Sequence, residues 1–573
     1  MFVALLFFAL APGLPALTKQ ERERALLTAA ENGDAKAAEK LLKEGVDPNA
    51  RVPGTWLNYT PLFKAVSEGR FEVAKLLLDY GADPSLEDEN HDPVLVFAAE
   101  AKHEKILRLL LERGVAIDSR SSQKITALER QVWSSGTAPA DMELLIKLGA
   151  DPNQVTSDGG RLLHRAIPIR NINAIQVLLR AGADVNGRDT DGRTPLIVAG
   201  DYSYEALPMV KLLVEAGADL NAQDSKGNTA LLLAIGQTAK IDAYLIEHGA
   251  DVNLASHEGL TPLMRAAERG AFDIARALIE RGADVHARMK NGLTAVHYAA
   301  GHKGDDWGEP KQTTDRRNQL ELISILEGKG ADLKGPTNEG QSALFFATQS
   351  GYTVMVRLLI DKGLDPRSKD SKGDTPLHWA LHAPDERIEK IKLLVAAGVN
   401  TANNDGDTPL LLAAKAMDRT ACTILLQNDA AVDVVNGKGE TSLFLVASSF
   451  NRQDITSSAY TEIIQDLAAK TQEIDRRDAK GMTVAMWAAA SDNPEALDAI
   501  LKRGADMRAR STDGRTCLMW AAAANANRTV DLLISRGADI SEKDDNGRTA
   551  ADWARAIGYG PMAEKLEKRS AAK

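Results

Sequence analysis

The sequence predicts a mainly α-helical repeat solenoid, and three observations predict it. Thr261 and Thr294 lie 33 residues apart, as do Ser342, Thr375, Thr408 and Thr441, and then Thr483, Thr516 and Thr549. Each opens a variant of one phrase, such as Thr261-Pro262-Leu263-Met264, Thr294-Ala295-Val296-His297 or Thr375-Pro376-Leu377-His378. A second phrase keeps step with the first: Gly182-Ala183-Asp184, Gly249-Ala250-Asp251, Gly282-Ala283-Asp284, Gly504-Ala505-Asp506 and Gly537-Ala538-Asp539. Two phrases in register at such a period mark a stack of one supersecondary unit.

Residues 255–287 show what one unit is built to do. The Thr261 hydroxyl is placed to cap a helix, and Pro262 is pre-set for the first helical position. That helix ends near Arg269-Gly270, where glycine accepts the left-handed turn. A second helix starts near Phe272, with Ile274, Ala275, Leu278 and Ile279 forming one apolar stripe. Gly282 stops it, and Asn291-Gly292 is a favoured tight-turn pair in the hairpin that follows. Ala266 and Ala267 let the two helices approach closely. Isolated helices below about 12–15 residues are marginal in water, so burial against neighbouring units must supply the stability.

With this period and the Thr-Pro-Leu-His phrase, the chain resembles the ankyrin-repeat family from about residue 20 to its end. The resemblance implies an ankyrin-repeat solenoid of helix-turn-helix plus β-hairpin repeats, about 16 stacked units here. At roughly 10 Å per helix layer such a stack would be an arc on the order of 150 Å long. The Leu-Met-Trp-Ala-Ala wording at Leu518 to Ala522 resembles bacterial versions of the repeat.

The N-terminus reads as an export signal. Residues 1–10 are wholly apolar, and Ala11-Pro12-Gly13-Leu14-Pro15-Ala16 follows with helix breakers and small residues, placing a cut near Ala16. No Lys or Arg precedes the run, which makes the signal atypical; an uncleaved anchor or a misread start are the other readings. The run is too short for a comfortable membrane span. The solenoid then occupies 17–573. Residues 20–45 form a first, charged helix pair suited to a terminal cap. Repeats open at Thr60, Asp92, Thr126, Arg161, Thr194 and Thr229, then at the nine positions from Thr261 to Thr549. The charged helix Ala563 to Arg569 reads as the other cap. Three places break the period: an enlarged hairpin at Arg51 to Trp56, an insertion at 301–318, and a smaller one at 449–458. Near the last, Gly-Ala-Asp degrades to Asp429-Ala430-Ala431 and Thr471-Gln472-Glu473, so this region is expected to be the softest.

Charge and cysteine bound the function. The chain has 69 Lys plus Arg against 80 Asp plus Glu, net −11, with no basic stripe for phosphate backbones, so nucleic acid is not expected as a partner. Cys422 and Cys517 fall three layers apart, roughly 30 Å, beyond the reach of a disulfide.

No catalytic constellation is legible, and neither a cofactor nor a metal is called for. His378 and His382 have metal-ligand spacing, but His378 is the histidine of the repeat phrase, equivalent to His164 and His297. In the family that ring hydrogen-bonds between neighbouring loops. Trp379, Trp487, Trp520 and Trp553 fall four residues after the opening position, as do Tyr298 and Phe346, whereas Lys64, Arg130 and Arg265 occupy it elsewhere. Two readings stand: packing into a common core gap, or a partly exposed aromatic ladder for a ligand.

The resemblance implies that protein partners engage the hairpin tips and the concave face of the first helices. Carried onto this chain, the tips include Thr190, Asp191 and Arg193; His257, Glu258 and Leu260; and Thr512, Asp513 and Arg515. Trp56 and Trp307 are further candidates as large aromatics in loops, Trp307 being flanked by Asp305, Asp306, Arg316 and Arg317. The expected function is a non-enzymatic, monomeric, exported scaffold that binds one or more proteins, with no stable membrane insertion once the signal is removed. The alternatives are a secreted effector or inhibitor of a foreign protein, and an enzyme with its site in the 301–318 insertion.

Overall fold

The computed structural model describes residues 18–51, 59–88, 92–121, 123–133, 138–202, 206–237, 239–301, 313–449, 457–478 and 480–571. Among these residues are thirty-two helices, two per repeat. No sheet forms among them; the hairpins are tight turns, three of which carry a single antiparallel bridge, as between Val155 and Arg161. The chain divides into two compact units, Met1–Pro262 and Leu263–Lys573.

Within each unit the layers repeat one arrangement. First helices pack on the first helices of adjoining repeats, as Pro61–Ser67 on Lys19–Asn32 and Pro409–Lys415 on Ser442–Ala447. Second helices do the same, as Ala35–Lys43 with Phe71–Asp79 and Ser457–Lys470 with Pro494–Lys502. The expected helices at Thr261 are Pro262–Arg269 and Phe272–Glu280. The small pairs Ala299/Ala300, Ala413/Ala414, Ala488/Ala489 and Ala521/Ala522 are fully buried, which is what lets the layers approach. Leu77, Leu110, Leu213 and Leu359 are fully enclosed as well, each contributing about 1.5–3 kcal/mol by burial.

Threonine capping works as its chemistry requires. The hydroxyls of Thr60, Thr194, Thr229, Thr408 and Thr441 each accept the N–H three residues on, at 3.2–3.4 Å. The third repeat corrects the sequence reading by one residue. Pro93, not Asp92, holds the cap position of helix Val94–Glu100, which restores the 33-residue spacing from Thr60 and on to Thr126. Asp92 instead pairs with Arg130 across the repeat junction.

A further inter-repeat device went unread in the sequence. Asn49, Asn153 and Asn186 each donate their amide to the Gly carbonyl that closes the next second helix, and accept the Asp N–H just beyond it. Asn400 plays the same part against Asp429 and Ala431. The signal lay in the words Asp-Pro-Asn at 47–49 and 151–153 and Asp-Val-Asn at 184–186.

Insertion boundaries also move. The second helix of the Thr294 repeat is Thr313–Gly328, so 313–318 are helix and not loop. The second helix of the Thr441 repeat starts at Ser457. At the degraded closure, Asp429 itself takes the left-handed conformation (φ 63°) that glycine adopts elsewhere.

Candidate protein-interaction face

Many of the hairpin tips are organised by the residue five before the cap. Asp189 Oδ1 accepts the N–H of Asp191 at 2.9 Å and of Arg193 at 2.8 Å, while its other oxygen takes Arg193 Nε at 2.9 Å. Asp224, Asp370, Asn403, Asn436, Asp478 and Asp544 close their own turns in the same way. The tips are then zipped by backbone. The N–H of Ser225 donates to Asp191 O, that of His257 to Lys226 O, and that of Asn404 to Lys372 O. At Gly227 (φ 78°) a Cβ would lie 2.5 Å from the His257 nitrogen, so only glycine permits this approach.

Because the tip backbones satisfy one another, what they offer to solvent is side chain. Thr190, Asp191, His257 and Glu258 are exposed. Arg193 is half-buried and held by Asp189 and Asp191. Asp513 and Arg515 pair at 2.6 Å. Arg515, expected at a tip, also stacks its guanidinium 3.6 Å from the Trp553 ring centre and 4.6 Å from that of Trp520. Leu260 is buried. Arg316 and Arg317 lie on the helix Thr313–Gly328, and Arg317 borders a groove with Leu320, Val354, Arg357 and Asp361 on the second-helix side. Trp56, Asp306 and Trp307 lie outside the described residues.

The aromatic positions are braced by the fold and remain partly exposed. Trp379, Trp487 and Trp553 donate their indole N–H to Asp370, Asp478 and Asp544 at 3.2, 3.1 and 2.9 Å, which fixes each ring against its own hairpin. All three, with Tyr298, Phe346, Leu412, Leu445 and Trp520, stay half-buried. Trp520 differs: Ser511 replaces the aspartate, and its N–H has no acceptor.

The histidines are structural. His378 Nδ1 accepts the Thr375 N–H at 3.1 Å, so Nε2 carries the proton and donates to Asp407 O of the next repeat at 3.1 Å. His297 spans from Thr294 to Gln341 O, and His164 from Arg161 to Arg193 O. Burial lowers all three from the ordinary histidine value, His297 to about 4. With both ring nitrogens engaged, His378 cannot join His382 on a metal. Among the described residues no group of three or more His, Cys, Asp or Glu is placed to hold a metal ion, and no helix is long and apolar enough to cross a membrane.

This geometry meets the family comparison at the level of sequence. The model for ankyrin repeats in three copies matches residues 6–88, 26–121, 132–224, 203–289, 244–306, 314–405, 455–544 and 485–566. The chain belongs to the ankyrin-repeat family. Among curated relatives it is similar to the nuclear factor NF-kappa-B p105 subunit of Gallus gallus, 35% identical over 27% of this chain and 16% of that protein. It is 32% identical to ankyrin repeat and SOCS box protein 6 of Homo sapiens, over 24% of this chain and 33% of that protein. It is also 32% identical to the E3 ubiquitin-protein ligase KEG of Arabidopsis thaliana, over 21% of this chain and 8% of that protein. The matched part is thus a third or less of each relative. A solved structure, the ankyrin repeat domain of Bcl-3, matches at 26% identity with a TM-score of 0.35, over 39% of this chain and 97% of that one.

Proposed function

We propose that this protein is a non-enzymatic scaffold that binds partner proteins through its hairpin tips and the first-helix face beside them. One observation carries the reading. The tips are locked to one another through their backbones, so Thr190, Asp191, His257 and Glu258 are presented on a row that loses little conformational freedom when bound. Among its ankyrin-repeat relatives, one is named as a subunit of a nuclear factor and another as an E3 ubiquitin-protein ligase.

Site-specific photocrosslinking tests the reading. A crosslinker placed at Thr190, His257 or Thr512 should trap protein partners, and one at Arg357 on a second helix should not. Trapping only from Arg357, or from none of the four, rejects it. The apolar run at 1–10, followed by helix breakers and small residues to Ala16, supports export as a further proposal; cell fractionation that finds the chain with cytoplasmic markers alone would reject that part.

A further inference from the structure

In the last two repeats this grid of side chains holds guanidinium groups of the chain itself. Arg515 and Arg548 each occupy the position just before a capping threonine, and Trp520 and Trp553 fall four residues after it. Arg515 lies over both rings, at 4.6 and 3.6 Å, and Arg548 lies 4.7 Å from the Trp553 ring centre. A residue before the cap therefore reaches the ring of its own repeat and of the next. Here the chain's own guanidinium groups fill the aromatic faces.

The same grid is filled differently in the repeats opened by Thr375, Thr408 and Thr441. The residues before the caps are Asp374, Asp407 and Glu440, and those four after are Trp379, Leu412 and Leu445; all are half-buried except Asp407, which is buried at the rim of its hairpin. The carboxylates are held by neutral amides alone: Asn403 Nδ2 donates to Asp374 at 2.8 Å, and Asn436 Nδ2 to Asp407 and Glu440 at 3.1 Å each. No Lys or Arg forms an ion pair with any of the three among the described residues. Across these three hairpins five carboxylates (Asp370, Asp374, Asp405, Asp407, Glu440) face three lysines, Lys369, Lys372 and Lys438, with Lys415 at the end of the helix Pro409–Lys415; Lys369 is engaged by the Ala402 carbonyl at 2.8 Å. Trp379 is already braced, its N–H on Asp370 and its ring edge-on to Phe345 at 5.5 Å. The row thus pairs an apolar floor with acid at a spacing of one repeat, and lacks the cation that Arg515 and Arg548 supply further along.

We propose that the face formed by Trp379, Leu412 and Leu445 with Asp374, Asp407 and Glu440 docks an extended, arginine-bearing segment of a partner protein, one arginine per repeat. This deepens the scaffold reading and rests on it. Adjacent helix layers lie roughly 8–10 Å apart. An extended or polyproline segment advances about 3.1–3.4 Å per residue, so every third residue meets an equivalent place. Arginine fits better than lysine, because its planar guanidinium stacks on an indole and forks onto a carboxylate at once. Apolar residues between the arginines cover Leu412 and Leu445. Phosphate-bearing partners are repelled by the same row.

Calorimetry on the intact protein tests this with a synthetic peptide of four Arg-Pro-Leu units and a twin in which citrulline replaces each arginine. The arginine peptide should bind, at least ten-fold more tightly than the citrulline peptide, and weaken as salt rises. The triple variant Asp374→Asn, Asp407→Asn, Glu440→Gln should lose at least ten-fold in affinity with an unchanged thermal melt. If that variant melts early, Trp379→Leu is the second variant, with the same loss expected. Equal binding of the two peptides, equal binding by a folded variant, or no binding at all overturns the proposal. No peptide binding while crosslinked partners persist sinks this inference alone; absence of both sinks the scaffold reading with it.

Discussion

Trp553 donates its indole N–H to Asp544 Oδ2 at 2.9 Å, joining a first helix to the hairpin nine residues before it. The same pair recurs at Trp379–Asp370 and Trp487–Asp478. At Trp520 the partner is Ser511, whose hydroxyl donates instead to Asp513 at 2.6 Å, leaving the indole N–H buried without an acceptor. Ser511→Asp should therefore stabilise the chain by about 1 kcal/mol, read as a raised urea midpoint. The new carboxylate would sit beside Asp513, so the gain should be larger with Asp513→Asn in place. A lowered midpoint in both backgrounds would show that the buried N–H is not the cost it is taken to be.

His297 should make the second unit acid-labile. Burial, chiefly, holds its ring neutral and its value down to about 4, against 6.5 ordinarily. For a depressed value the sign is fixed: the contribution is full above pH 6.5 and is lost as pH falls through about 4. Its size is on the order of 3 kcal/mol. His297→Phe removes both the Thr294 and Gln341 hydrogen bonds, so it should destabilise at pH 7 and flatten the pH dependence between 6.5 and 4. Denaturant midpoints measured across that range check it, and an unaltered slope would refute it.

Asp242 predicts the opposite trend in the first unit. Its side chain is buried, one oxygen has no hydrogen-bond partner, and burial raises its carboxyl from 3.8 to about 6. Here the unfolded chain ionises first, so the cost is absent below pH 3.8, grows up to about 6, and persists above. Asp242→Asn should gain about 1–2 kcal/mol at pH 7, and the gain should vanish near pH 4. Midpoints that show an equal gain at both pH values would sink the assignment.

Much of this was legible because an ankyrin-type repeat states its helix caps locally. Thr60, Thr194 and Thr408 do what a threonine before a proline and leucine is chemically suited to do. What escaped notice spans repeats. Arg515 looks like a turn residue until the next repeat brings Trp553 against it, about 38 positions on. An insertion hides where periodicity resumes, so the sequence places Arg316 and Arg317 in a loop, and only packing against the stack fixes where Thr313–Gly328 begins. Pro93 escaped because Asp92 is the better capping residue by chemistry, while the spacing, not the side chain, decides the register.

The turns between paired helices offer a stabilising substitution. Gly33, Gly69 and Gly270 take left-handed backbone there at no steric cost, whereas Met417 adopts φ 56° with a Cβ in place. The left-handed region costs a non-glycine residue roughly 1–2 kcal/mol, partly offset by the extra freedom of an unfolded glycine. Met417→Gly should thus gain about 0.5 kcal/mol or be neutral, where most glycine substitutions destabilise. A loss above about 1 kcal/mol in chemical denaturation would mean the half-buried Met417 side chain outweighs its backbone strain.

Cys422 and Cys517 report where the second unit opens. Both are buried free thiols, and burial pushes each up to about 12. At pH 8 only ~10⁻⁴ of such a thiol is ionised, so alkylation of the native protein should be far slower than in urea. The repeat holding Cys422 closes on Asp429 at φ 63°, strained where Gly537 closes the repeat of Cys517 at no such cost. Local opening should therefore expose Cys422 first. Time-resolved iodoacetamide labelling with peptide mass spectrometry reads the order. Cys517 labelling ahead of Cys422 would locate the weak point elsewhere, and native labelling as fast as in urea would contradict the burial of both.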